Sequence, residues 1–251
     1  MDIVQRREKL KQIILEQREV QTSELLGMFD VSSVTLRGDL IYLERMGICK
    51  RLFGKVVASS GGAVYENFEL VSHIDEKERI GKAAAKLIEE GDAVLFYTGS
   101  TTRQVARFID PTLHFIAVTN SMHIALELQK LPNAQVVVLG GTMDHRLGAT
   151  FGAQTIQQVR NFYLDKLFIS VDGVDAKMGI TNAMPFESEL NQVVMACASK
   201  TIVVADHTKV GAVSFVQMGG ADSIDTLVTD AGAKPAAVEA LRQAGVDVII
   251  V

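Results

Sequence analysis

The chain has 251 residues, of which 48% are hydrophobic and 22% charged. That is enough apolar material for one large core or two smaller ones, and it excludes a disordered chain. Twenty-five Lys and Arg against 30 Asp and Glu give a net charge of −5, which argues against a protein that coats nucleic acid through bulk positive charge.

Cys49 and Cys197 lie far apart without metal-type spacing, so neither a disulfide framework nor a structural zinc site is expected. Arg6, Arg7, Glu8 and Lys9 stand where a signal peptide needs an apolar core, and no run approaches the ~18 apolar residues of a membrane span. A cytoplasmic setting is the expectation. The charge divides unevenly: residues 1–57 hold ten Lys and Arg and eight Asp and Glu, and residues 58–251 hold fifteen and twenty-two. Between them Ala58-Ser59-Ser60-Gly61-Gly62-Ala63 opens a weakly patterned stretch with the composition of a connection. The expected organisation is therefore a head at 1–57, a linker at 58–74 and a body at 75–251.

In the head, Ile3, Leu10, Ile13, Ile14 and Gln17 trace a first helical stripe. Thr22 is placed to cap a short second helix through Phe29, and Ser32 to cap a third through Met46, with Gly47 as its stop. The tight Asp30-Val31-Ser32 connection predicts a helix-turn-helix. Ile48 to Leu52 and Lys55 to Ala58, around Phe53-Gly54, predict a two-stranded wing. Leu36, Leu40 and Leu43 share one face of the third helix, leaving Val34, Gly38, Ile41 and Arg45 opposite.

The N-terminal part of such a helix enters the major groove. Ser32, Ser33, Val34, Thr35, Arg37 and Gly38 are the candidates to meet base edges there, with Arg37 foremost. Val34 and Ile41 suit a groove contact such as a thymine methyl, and equally a partner surface. Lys50, Arg51 and Lys55 in the wing are candidates for backbone phosphates. An ordinary three-helix interaction module with solvated cations is the competing reading.

In the body, continuous apolar runs at Ala93 to Tyr97, Phe115 to Val118, Gln135 to Leu139, Lys166 to Val171, Thr201 to Ala205, Thr226 to Thr229 and Val246 to Val251 predict strands covered on both faces. Helical stretches begin near Asp75, Thr101, Ser121, Gly152, Phe186 and Lys234. The expected fold is an α/β domain with a mostly parallel sheet.

Thr98-Gly99-Ser100-Thr101-Thr102 follows the first run and opens a helix, an arrangement that aims backbone N–H groups and hydroxyls at a phosphate. Thr119-Asn120-Ser121 and Gly140-Gly141 occupy equivalent strand ends on the edge where α/β ligands bind. Asp172, Asp175 and Glu187 are candidates to accept bonds from sugar hydroxyls, and Lys209 to neutralise a phosphate. Each also has a plain structural reading as a turn, cap or surface residue. The five histidines show no metal spacing, no Gly-x-Ser-x-Gly elbow occurs, and no Walker loop is present. No metal or cofactor is expected.

The combination resembles the DeoR/GlpR family of bacterial transcriptional regulators along nearly the whole chain. Val31-Ser32-Ser33-Val34-Thr35-Leu36-Arg37-Gly38-Asp39-Leu40, then Leu43-Glu44 and Gly47, is similar to its helix-turn-helix signature. Gly99-Ser100-Thr101-Thr102, Thr119-Asn120-Ser121, Leu139-Gly140-Gly141, Asp165-Lys166, Asp172-Gly173-Val174-Asp175, Gly179-Ile180-Thr181, Asp206 with Lys209, and Thr229-Asp230-Ala231-Gly232 follow its effector domain in order.

The resemblance implies a repressor of a carbohydrate-utilisation operon, released from operator DNA by a phosphorylated sugar or related metabolite. It implies a body similar in fold to ribose-5-phosphate isomerase. Enzymes of that group follow the Asp-Gly-x-Asp segment with a Lys-Gly-Gly run, where this chain has Lys177-Met178-Gly179-Ile180-Thr181. Binding without turnover is thus expected, with a sugar-phosphate isomerase carrying an accessory DNA-binding module as the alternative. Two departures bear on DNA. Gly38 stands where many relatives have a second Arg, at a propensity cost of about 1 kcal/mol relative to Ala. The wing reads Phe53-Gly54-Lys55-Val56-Val57, and Gly61-Gly62-Ala63 comes later than the family pattern places it. A single head has little interface, so a homo-oligomer, dimer or tetramer, is expected.

Overall fold

A computed structural model describes residues 3–29, 31–45, 48–52, 54–58, 73–145, 147–183 and 188–251. The chain divides into two units, Met1–Leu70 and Val71–Val251. The first holds α1 (Ile3–Gln17), β1 (Glu19–Gln21), α2 (Thr22–Met28), α3 (Ser33–Arg45), β2 (Cys49–Leu52) and β3 (Lys55–Ala58).

Leu36, Leu40 and Leu43 of α3 pack with Leu10, Ile14, Leu25, Phe29 and Val56, each large side chain contributing about 2 kcal/mol by leaving water. The α1 stripe is narrower than its sequence pattern, because Leu10 and Ile14 are buried and Ile3 and Gln17 are exposed. Ser32 caps α3, its Oγ accepting the Thr35 amide at 3.1 Å. Thr22 is no cap but the first residue of α2, preceded by Gln21 without a side-chain cap bond. Met46, Gly47 and Phe53 lie outside the described residues, as does 59–72, most of the expected linker.

The wing is larger than two strands. β1 pairs antiparallel with β3, which pairs with β2. Arg18, at φ 63°, turns the chain from α1 into β1, and its carbonyl accepts the Ala58 amide at 2.7 Å. A three-residue strand with an eBe burial pattern leaves too little periodicity to be seen in sequence.

An ion cluster ties α1 to α3. Asp39 is 2% exposed and accepts from Arg6 Nε at 2.6 Å and Arg7 Nε at 2.8 Å. The Arg7 guanidinium also lies 3.9 Å from the centre of the Tyr42 ring.

The second unit runs α4 (Ile74–Ala85), β4 (Ala93–Phe96), α5 (Ser100–Arg107), β5 (Phe115–Thr119), α6 (Met122–Leu128), β6 (Ala134–Val138), β7 (Thr142–Asp144), β8 (Ala149–Phe151), α7 (Ala153–Val159), β9 (Leu164–Ile169), β10 (Gly173–Asp175), β11 (Gly179–Asn182), α8 (Ser188–Ala196), β12 (Ala198–Val204), β13 (Val216–Gly219), β14 (Thr226–Thr229), α9 (Pro235–Gln243) and β15 (Asp247–Ile250). Seven strands form a parallel sheet in the order β15-β14-β12-β9-β4-β5-β6, and each corresponds to one of the apolar runs read from the sequence.

One core, with Ile80, Phe96, Val105, Ile124 and Phe168, lies on the face of α4, α5 and α6. The other, with Leu95, Leu167, Ile169, Val194 and Leu241, lies on the face of α7, α8 and α9. Burial on both faces is why these strands read as unbroken apolar runs. The β7–β8 hairpin and the antiparallel β10-β11-β13 sheet are additional to that reading.

Replacing Asp39 removes the shared acceptor of two partly buried arginines. Asp39→Ala is expected to lower the stability of the head by about 2–3 kcal/mol, read as an earlier urea transition of the full chain. A change below about 0.5 kcal/mol, the level of an ordinary surface substitution, would show that the cluster contributes nothing.

Candidate functional site

On the head, the exposed face of α3 presents Ser33, Val34, Thr35, Arg37 and Gly38 to solvent, and Ser32 is exposed just before it. Ile41 is half-buried, so the exposed apolar surface is smaller than the sequence pattern implied. Arg37 is exposed with no ion-pair partner among the described residues.

The wing cations are already engaged. Arg51 Nε donates to Glu44 at 2.7 Å and the Arg51 amide to the other Glu44 oxygen at 2.7 Å. These bonds hold the Glu44 carboxyl below the ordinary carboxylate range. Lys55 Nζ donates to Glu19 at 2.8 Å. Lys50 lies on β2, with its side chain outside the described set. Both described wing cations can reach a phosphate only by sharing themselves with a carboxylate.

In the body, the chain adds β5 and β6 on one side of β4, then β9, β12, β14 and β15 on the other. The crevice between the carboxyl ends of β4 and β9 is therefore the place where the strand order reverses, the usual ligand position in such sheets. The turn after β4 is fitted there with almost no clearance. A Cβ on Gly99 would stand 2.5 Å from Ser170 Cβ, with φ at +157°, so no other residue fits without moving the strand ends apart.

Ser170 Oγ accepts the Thr102 amide at 3.0 Å and shares a 2.8 Å bond with Thr102 Oγ1. Thr101 and Thr102 are buried, and the donors of Thr102 serve Ser170. Gly99 and Ser100 are partly open, and the buried Thr98 hydroxyl has no hydrogen-bond partner.

The next strand end is built into this turn. Thr119, Asn120 and Ser121 are fully buried. Asn120 Oδ1 accepts the Thr98 amide at 3.1 Å and its Nδ2 donates to the Thr150 carbonyl at 3.1 Å. Thr119 Oγ1 donates to the Phe96 carbonyl and accepts the Ser121 amide, and Ser121 caps α6. These three residues hold the Thr98–Gly99 turn in place. Gly140 and Gly141 follow the edge strand β6, where a Cβ on Gly141 would lie 2.1 Å from Thr155 Oγ1. Thr155 Oγ1 donates to the Gly140 carbonyl at 2.8 Å.

On the other side of the crevice, the Val174 amide donates to the Lys209 carbonyl at 2.9 Å, which sets Lys209 beside Asp172, Nζ to Oδ1 3.8 Å. Asp172 Oδ2 also accepts the Ala183 amide. Asp175 Oδ1 accepts the amides of Lys177 and Met178 at the tip of the β10–β11 hairpin. Glu187 lies outside the described residues.

The rim also carries Lys77, which the sequence reading missed, beside Asp206 and His207 of the β12 strand end. Lys77 of α4 is 7% exposed and its Nζ lies 3.7 Å from Asp206 Oδ2. Burial lowers the Lys77 ammonium from its ordinary value, with Asp206 opposing and Lys209 reinforcing. Burial pushes the Asp206 carboxyl up, but the Thr208 hydroxyl and amide and Lys77 leave it below its ordinary value. The His207 ring is clasped by Asp230, Nδ1 to Oδ2 2.9 Å, and stands edge-on to His73 at 5.0 Å.

A signal for Lys77 was present, because 77, 80, 81, 84 and 85 share the spacing of one helix face and all are buried. Acidic neighbours at 75, 76 and 78 gave it the look of a surface lysine. Among the described residues no group of three or more His, Cys, Asp or Glu is placed to hold a metal. No helix of the described residues is long and apolar enough to cross a membrane.

The family model described as a DeoR-like helix-turn-helix domain matches residues 6–61, and that of the DeoR C-terminal sensor domain matches 72–231. The chain is 32% identical over 251 residues to a protein of Escherichia coli O157:H7 named as an aga operon transcriptional repressor, covering 98% of this chain and 93% of that one. It is 29% identical to the HTH-type transcriptional regulator GolR of Listeria innocua, covering 98% of each. Among solved structures it is similar to the full-length sorbitol operon regulator SorC of Klebsiella pneumoniae (13% identity, 96% of this chain and 100% of that, TM-score 0.42). It is also similar to ribose-5-phosphate isomerase A of Methanocaldococcus jannaschii (18% identity, 55% of each, TM-score 0.41).

Asp206 generates an acid dependence. Its carboxyl is held lower in the folded chain than the ordinary value of about 3.9, so its contribution is complete above that pH and is lost as the pH falls through the lower folded value. Asp206→Asn is expected to be less stable at pH 7 and to lose less stability on acidification, measured as the melting temperature between pH 7 and pH 3. Parallel curves for the two proteins would refute the assignment.

Proposed function

This chain belongs to the DeoR family of helix-turn-helix transcriptional regulators, and we propose from that premise that it represses a carbohydrate-utilisation operon under control of a phosphorylated sugar or sugar alcohol. In this reading a head at 1–57 binds operator DNA, a linker at 58–74 follows, and a body at 75–251 binds the effector. The protein acts in the cytoplasm as a homo-oligomer that pairs its heads on half-sites.

The observation that carries the effector class is the turn after β4. Thr98 has a buried hydroxyl without a partner, and Gly99 and Ser100 lead into α5 at the reversal of strand order. Backbone N–H groups and a positive helix end converge there, which is chemistry for an anion with several acceptor oxygens. The ends of β4 and β12 are separated by one strand, so the turn and Lys209 lie about 10 Å apart. That span suits a phosphate at the turn and a hydroxylated carbon chain running toward Asp172 and Lys209. Asp206 and Lys77 close the far end.

Among the candidate residues the roles separate. Thr98, Gly99, Ser100, Asp172 and Lys209 contact the effector in this proposal. Thr101, Thr102, Thr119, Asn120, Ser121, Gly140 and Gly141 position them. Asp175 Oδ1 braces the β10–β11 hairpin turn, and in this proposal the residue positions that loop rather than serving as a proton shuttle.

Thermal-shift measurements on the full chain with a panel of phosphorylated sugars and sugar alcohols, each beside its unphosphorylated parent, test the reading. Only phosphorylated compounds should raise the melting temperature, and operator affinity should fall in their presence. Gly99→Ala should abolish the shift while operator binding persists without release. Arg37→Ala should keep the shift and lose operator selectivity. A panel with no stabilising member, or steady conversion of a pentose phosphate to its isomer, would overturn the proposal.

A further inference from the structure

We infer that the recognition helix reads thymine methyl groups through Val34 and the bare backbone at Gly38, so that T·A pairs lie under the middle of its footprint. The inference rests on the reading that α3 enters the major groove of an operator.

At 100° per residue Val34, Gly38 and Ile41 fall within about 60° of one another, on the side opposite Leu36, Leu40 and Leu43. Those leucines are buried, which places the Val34 stripe at the centre of the outward face. Val34 is 78% exposed, and its methyl groups are open to solvent among the described residues. A valine has no donor or acceptor and cannot read the O6 and N7 of guanine or the N7 and N6 of adenine. The one major-groove feature that matches it is the C5-methyl of thymine.

One turn further on, Gly38 is not required by packing among the described residues, since a Cβ there would meet none of them within 4 Å. A helix interior otherwise disfavours glycine. What its lack of a side chain provides is approach: the helix can sit closer to the groove floor and bring Val34 into contact with the methyl edge.

The acids of this helix do not oppose that approach. Asp39 is turned inward to Arg6 and Arg7, and Glu44 is held by Arg51. Ser33, Thr35 and Arg37 flank the stripe and remain for hydrogen bonds to neighbouring bases and phosphates.

The test uses the full chain and a random-sequence DNA duplex library. Selection should enrich a motif with T·A pairs in each half-site. Duplexes of that motif are then made with uracil in place of each thymine in turn, which removes one methyl and keeps every hydrogen bond. Uracil under Val34 should weaken binding about 4-fold, the value of one buried methyl, and uracil at other positions should have no effect. Val34→Ala should weaken binding to the thymine duplex by a similar factor and erase the uracil penalty. Gly38→Ala should raise the melting temperature of the head and yet weaken operator binding.

Indifference to uracil at every position, a uracil penalty that survives Val34→Ala, or tighter DNA binding by Gly38→Ala would overturn the inference. If Val34→Ala bound every DNA as the parent does but lost association with a protein, Val34 would belong to a partner surface and the inference would fall. Failure of the parent chain to enrich any sequence would instead overturn the operator reading on which it rests.

Discussion

The constraint on which the body's site depends is the approach of Gly99 to Ser170, where two neighbouring parallel strands end and the connections leave in opposite directions. A sheet that reverses its strand order opens a crevice at this point. Here the crevice floor is pinned by a side chain of one strand end bonding to the turn of the other, Ser170 to Thr102. Asn120 fixes the same turn from the opposite side through the Thr98 amide. The turn is thereby preorganised, and ordering it costs a ligand little. What remains open is narrow, consisting of Thr98, Gly99 and Ser100, and it faces a rim assembled by the loops after β9 and β12.

The head follows a different economy of charge. Five of its ten Lys and Arg have internal ion-pair partners among the described residues: Arg6 and Arg7 with Asp39, Lys11 with Glu8, Arg51 with Glu44, Lys55 with Glu19. Counting lysines and arginines therefore overstates the electrostatic attraction to DNA. A head that neutralises few phosphates binds weakly alone, and its affinity depends less steeply on salt than that of a generally basic surface. Selectivity then falls on shape and on base-edge contacts along α3, and useful affinity on the pairing of heads. The clamp on Asp39 has a second consequence, because it fixes the rotation of α3 about its axis and so decides which residues face outward.

Much of this was legible in sequence. All seven strands of the parallel sheet announced themselves, since strands buried on both faces carry uninterrupted apolar runs such as Leu167-Phe168-Ile169 and Ile202-Val203-Val204. The helix-turn-helix was legible from Leu36, Leu40 and Leu43 and from the Ser32 cap. Short elements were not: β1, β7, β10 and β13 have three or four residues each, and pairing rather than pattern makes them strands. In the site, the glycines and threonines of the strand ends were visible as a group, but not which of them would be open. That division depends on partners distant in sequence. Ser170 converts Thr102 from a phosphate donor into a brace, and Thr155 explains Gly141. Asp172 and Asp175 belong to one sequence motif, yet the hairpin turn that follows Asp175 engages its Oδ1 with the amides of Lys177 and Met178.

The rim across from the turn shows how the proposed site separates two tasks. Lys77 and Asp206 face each other at 3.7 Å, and Lys209 and Asp172 at 3.8 Å, so each buried or half-buried cation has an anion at hand. An unpaired charge would cost several kcal/mol at such depth, and the pairing offsets that cost at the expense of net positive potential. A charge-balanced rim is a poor attractor of phosphate and a good reader of hydroxyl groups, because it alternates donors and acceptors in fixed positions. The turn at Gly99 is the reverse: its donors are backbone amides with no carboxylate beside them among the described contacts. In the proposed site, discrimination of phosphorylated from free sugar accordingly falls to the turn. In the proposed site, discrimination among sugars falls to the four charged side chains of the rim, where an epimer that misplaces one hydroxyl loses a hydrogen bond to a charged group.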